Sequence, residues 1–159
     1  MANRINKIIS TKANTLYAMK NLIKKASIEE MYILRVEDFW RNKNQVCTEI
    51  MEKFGGCRIV VRSSSTQEDC MKSSNAGHYK SVLNVNATNE KDVKNALITV
   101  LSSYEENAFN KNEILVQPML FNVISSGVVF SCDIDTLSPY YIVNYDKSSD
   151  TCSVTDGRG

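Results

Sequence analysis

Histidine, proline and glycine are scarce in this chain, and each shortage excludes something. One histidine in 159 residues, His78, forces any His-dependent triad or zinc cage through a single side chain. Two prolines and six glycines rule out collagen-like and low-complexity chains. No P-loop (GxxxxGK(S/T)), Rossmann glycine fingerprint or GxSxG elbow occurs. Five cysteines stand at 47, 57, 70, 132 and 152, an odd and irregular set without a CxxC. Reduced, packing cysteines are expected. No apolar run approaches the ~20 residues of a membrane span, and the first residues lack the core of a signal peptide. A soluble cytoplasmic protein is expected.

What is present suits one ordinary domain. The chain is 43% hydrophobic and 23% charged, enough apolar content for a core without staples. Net charge is +1, which gives no support to nucleic-acid or membrane partners. The charge is uneven, however. Residues 1–62 carry 12 Lys/Arg against 6 Asp/Glu, and residues 63–159 carry 7 against 12. A basic front half can offer cations to a polyanionic ligand.

Periodicity predicts a first helix capped by Ser10 or Thr11, with Leu16, Met19, Leu22 and Ile23 on one face. A strand follows at Tyr32–Val36. A second helix is predicted with Phe39, Trp40, Cys47, Ile50, Met51 and Phe54 as its buried stripe, stopping at Gly55-Gly56. Arg58–Arg62 is a β-branched strand that runs into a polar segment, Ser63 to Lys80, and a strand at Ser81–Val85. Thr88 or Asn89 caps a third helix, with Val93, Ala96, Leu97, Val100, Leu101 and Tyr104 apolar. Further strands are expected at Ile114–Leu120, Gly127–Cys132, Tyr140–Tyr145 and Cys152–Val154, with turns at Ser138-Pro139 and Ser148–Asp150. The fold class is mixed α/β, weighted toward α+β, with helices on a mainly antiparallel sheet.

The chemistry concentrates in Arg62-Ser-Ser-Ser-Thr-Gln-Glu-Asp69 and Ser73-Ser-Asn-Ala-Gly-His-Tyr-Lys80. A guanidinium fork, hydroxyl donors and a small-residue loop make up a phosphate-binding assortment. Ser-rich loops after strands also serve purely as turns.

Val61–Asp69 resembles the VRSSAT-x-ED signature of the ATP-binding domain of phosphoenolpyruvate synthase and pyruvate phosphate dikinase. Ser74–Tyr79 is similar to that family's SFAGQ(Y/F) loop, and Ser81–Val85 to the strand after it. Ile114–Leu120 resembles V-x-VQ-x-MV, and Ser125–Ser131 with Asp133 resembles ASGVxFTxD. Ser10–Leu16 is a looser match to GGKAxNL, lacking its glycines.

The resemblance implies an ATP-grasp-like fold and gives roles to individual residues. Lys12 would reach the ATP phosphates and Arg62 would clamp their oxygens. Ser63, Ser64 and Thr66 would donate hydrogen bonds to phosphate or cap the turn. Gly77 would lie at the tip of a loop closing over the phosphates. Gln117 and Met119 would line the adenine hinge. Glu68 and Asp69 would hold the loop, and His78 stands where many relatives have Gln.

The implied cofactors are ATP and Mg2+, with no catalytic residue in this chain and metal ligands outside it. Residues 1–159 read as a single, incomplete nucleotide-binding domain with a possible lobe change near 86–113. It would need missing C-terminal domains or a partner subunit to pass a phosphoryl group from ATP to a histidine, and would be inactive alone. The alternative is a non-catalytic nucleotide-sensing or partner-binding module on the same fold.

Overall fold

A computed structural model of the chain describes residues 10–65, 79–104, 112–133, 135–147 and 154. It divides into two compact units, Met1–Met119 and Leu120–Gly159. The stretch 86–113 lies within the first.

The first unit contains α1 (Lys12–Met19), β1 (Tyr32–Arg35), α2 (Val36–Arg41), α3 (Lys43–Phe54), β2 (Arg58–Ser65), β3 (Ser81–Asn86), α4 (Glu90–Leu101) and β4 (Asn112–Pro118). Its sheet has the order β1-β4-β2-β3. Every neighbouring pair is antiparallel. The mixed α+β class expected from sequence is what the chain adopts.

Alternation along β2 and β4 sorts side chains onto two faces. One face presents Leu34, Ile59, Val61, Val85, Ile114 and Val116 to α3 and α4. Val46, Cys47, Ile50 and Phe54 answer from α3, and Val93, Ala96, Leu97, Val100 and Leu101 from α4. Fully burying each large aliphatic side chain contributes about 1.5–3 kcal/mol, so this face carries most of the stability. Burial also pushes the Cys47 thiol up, as befits a packing residue. Cys57 and Cys132 are free as well, so three of the five cysteines are seen unpaired.

The helices end where local chemistry stops them. Asn89 caps α4, its side chain accepting from the Lys91 N–H at 3.0 Å. A Cβ on Gly55 would lie 2.6 Å from the Met51 carbonyl oxygen, and Gly56 has φ +90°, so both glycines are needed to end α3.

Four expectations are corrected. First, the second helix is two helices, because Asn42 (φ −150°, ψ 72°) leaves helical geometry and caps α3 by accepting from Gln45. Trp40 is therefore not in the buried stripe but 53% exposed, with the Lys43 ammonium 4.3 Å from its ring centroid. Second, α1 ends at Met19, so Leu22 falls beyond the helix and is 60% exposed. Third, Ser63, Ser64 and Ser65 do not begin a loop. They extend β2 and pair with Ile114, Glu113 and Asn112. Fourth, β1 stops at Arg35, and Val36 opens α2. The strand expected at Cys152–Val154 and the turn at Ser148–Asp150 lie outside the described residues, except for Val154, which is in a turn.

The second unit holds a hairpin of β5 (Ser126–Phe130) and β6 (Ile142–Asp146), paired from Ser126↔Asp146 to Phe130↔Ile142. The Asp133 carboxylate organises the turn between them, accepting from the N–H groups of Asp135 and Thr136. The bonds from the Thr136 N–H and hydroxyl, and then that from the Asp135 N–H, hold its pKa below the usual carboxylate range.

Candidate nucleotide-binding site

The second face of the sheet is built differently. Its apolar cluster is small: Ala13, Met31 and Leu115, with Leu16, Ile28 and Ile33 packed at its margin. Ala13 and Leu16 belong to α1, so this helix lies on the face opposite α3 and α4. Among the apolar residues of this face stand Arg62 and Ser64 of β2 and Glu113 and Gln117 of β4. The register sets Arg62 opposite Leu115, Ser64 opposite Glu113, and Val60 opposite Gln117.

Polar contacts fix the start of α1 on this face. Thr11 is its N-cap, the hydroxyl accepting from the Asn14 N–H at 3.2 Å. The Ala13 N–H donates to Ser64 Oγ at 2.9 Å, so a strand hydroxyl satisfies a helix-end donor from 51 residues away. The Thr11 hydroxyl donates to Glu113 Oε2 at 2.6 Å. The Asn14 amide donates to both carboxylate oxygens at 2.9 Å. From the other side, the Tyr104 hydroxyl donates to the Glu113 carbonyl and accepts from the Ser64 N–H at 3.0 Å.

These contacts bring Lys12, the first residue of α1, to the face that carries Arg62. Both are half-buried, part packed and part open to solvent. Two cations on one face suit an anion, the lysine as a point charge and the arginine as a planar fork, while the α1 N-terminus itself is already engaged by Glu113, Thr11 and Ser64. Gln117 is half-buried on the same face.

Ser64 also lies on this face, but it is fully buried and engaged with Ala13. Ser63 has the opposite parity and is buried on the α3/α4 side of the sheet. Met119 follows β4, its N–H donating to the Arg58 carbonyl at 2.8 Å. Strand alternation then turns the Pro118 carbonyl toward the other edge, where β1 pairs with β4 only as far as Val116. A proline, lacking an N–H, is tolerated there because the β2 ladder does not need one from it. Thr66 and Gly77 lie outside the described residues, as do Glu68, Asp69 and His78.

Sequence reasoning missed Glu113. Thr11 and Asn14 carry a local signal, a cap residue followed three positions later by a polar side chain. Glu113 carries none, because it meets them from 102 and 99 residues away. Among the described residues no three His, Cys, Asp or Glu side chains converge as a metal site. No described helix is long and apolar enough to cross a membrane.

Comparison with curated protein sequences gives no match. The family profile described as pyruvate phosphate dikinase, AMP/ATP-binding domain, matches residues 1–149. That span takes in the whole four-stranded sheet, α1 with Lys12, and the β2 strand with Arg62. The chain belongs to the pyruvate phosphate dikinase AMP/ATP-binding domain family.

Proposed function

We propose that this chain binds ATP on the α1 face of its sheet, as the nucleotide-binding part of a phosphoenolpyruvate synthase-like phosphotransferase. Lys12 and Arg62 hold phosphate oxygens, the first as a mobile point charge and the second as a planar fork. The backbone at the end of β4, with Gln117 and Met119, receives the base. Thr66 and Gly77 belong to a segment that approaches the phosphates. The observation that carries this reading is the 2.9 Å bond from the Ala13 N–H to Ser64 Oγ, which ties the residue after Lys12 to the strand of Arg62.

The nucleotide brings Mg2+, and its ligands come from outside the Lys12–Arg62 face. The fold in this reading is an ATP-grasp lobe, working in the cytoplasm, with the acceptor histidine on another domain or a partner subunit. Such transfer is positioning and charge neutralisation, which suits two cations on one rigid face.

A second reading is favoured by Thr11. It stands where the family pattern has glycine, and its side chain is bound to Glu113 instead of leaving the backbone bare for a ligand. On that reading the module senses nucleotide without passing on a phosphoryl group.

Calorimetric titration with Mg-ATP tests the site that both readings share. Binding by the wild type that is weakened in both variants, more in Arg62→Ala than in Lys12→Ala, with both variants folded, supports the site. Unchanged affinity in both variants overturns it.

A further inference from the structure

We propose that Glu113 is a positioning residue for nucleotide binding, holding the first turn of α1 so that Lys12 stays over the Arg62 face. The inference rests on the reading that Lys12 and Arg62 hold the phosphates.

An isolated eight-residue helix is marginal in water, and the apolar hold on α1 is thin. Ala13 is its one buried residue, while Tyr17 and Met19 are exposed. Polar anchors must therefore settle where the helix sits. Among the described residues Ser64 on β2 and Glu113 on β4 do so, and they are cross-strand partners. Ser64 takes one backbone N–H. Glu113 takes two side chains, Thr11 before Lys12 and Asn14 after it, at 2.6 and 2.9 Å. The carboxylate thus brackets Lys12 in sequence without needing to touch it. Its negative charge also opposes the positive end of the α1 dipole. A lysine stem is flexible, so a backbone that is already fixed lowers the ordering cost when phosphate binds.

The test is a double-mutant cycle on the full chain, read as the Kd for Mg-ATP with a thermal melt of each variant. Glu113→Ala should raise Kd about tenfold, a coupling of ordinary size for groups in one network. Glu113→Gln, which keeps one acceptor for Thr11 or Asn14, should raise it only about threefold. In a Lys12→Ala background, Glu113→Ala should change Kd by less than about twofold, because the residue it positions is gone. Any loss of thermal stability should be the same in both backgrounds. An equal loss of affinity in both backgrounds would overturn the proposal, as would an unchanged Kd in Glu113→Ala. If Glu113→Ala does not fold, the Gln variant carries the same comparison. A Kd indifferent to both Lys12→Ala and Arg62→Ala overturns the underlying reading, and this inference with it.

Discussion

The two faces of the four-stranded sheet share strands but not chemistry. Toward α3 and α4 the strands present Ile59, Val61, Ile114 and Val116, each buried completely. Toward α1 the intervening positions hold Arg62, Ser64, Glu113 and Gln117, with Leu115 the fully buried apolar residue among them. Period-2 alternation lets one strand serve both needs at once. Stability is concentrated on one side, which leaves the other free to carry charge half exposed to solvent.

That division can be broken from either side. The largest effect should come from Ile59→Ala, which empties a fully buried site. It should destabilise by about 3 kcal/mol in urea melts, while Kd for Mg-ATP per folded molecule stays unchanged. Arg62→Ala should invert the pattern. It should cost about 2 kcal/mol of ATP affinity, the scale of a charge-assisted bond, with less than about 1 kcal/mol of stability.

Ser64→Ala lies at the junction of the two functions. It leaves the Ala13 N–H without its acceptor, so a loss of about 1.5 kcal/mol should accompany weaker ATP binding. Asn89→Ala, a cap on the stabilising side, should cost about 1 kcal/mol and leave ATP affinity alone.

The smallest effect concerns pH. The Tyr32 hydroxyl donates to Glu49 Oε2 at 2.6 Å, and Gln45 donates to the other oxygen at 2.9 Å. The bond from Tyr32, then that from Gln45, holds the Glu49 carboxyl below its usual value. A lowered folded pKa contributes stability above the ordinary glutamate pKa of about 4.3, and that contribution is lost as pH falls through the folded value. Tyr32→Phe should therefore be slightly less stable than wild type at pH 7. The gap in melting temperature should close in acid.

The stabilising side was legible in the sequence, and the α1 side only partly so. Val93, Ala96, Leu97, Val100 and Leu101 repeat at helical spacing, and all five are buried in α4. The stop at Gly55-Gly56 was equally plain. Beyond α1, Leu22 keeps the same spacing yet lies outside the helix, because periodicity records a face and not whether anything covers it.

Ser63–Ser65 looked like a loop because hydroxyl residues lack the apolar alternation of a strand. Pairing with Ile114, Glu113 and Asn112 overrides that local preference. The meeting of Thr11, Asn14 and Glu113 depends on strand order, which no local window contains. Of the expected ligands, Lys12, Arg62, Ser64 and Gln117 are brought to one face, and Ser63 faces away from them.

Amide hydrogen exchange with and without Mg-ATP tests the central claim most directly, since it reports where the ligand acts. Slower exchange at Thr11 to Thr15 and around Gln117 to Met119, with α3 and α4 unchanged, is the predicted result. Protection confined to α3, α4 or the β5–β6 hairpin would contradict the assignment of the α1 face to the nucleotide.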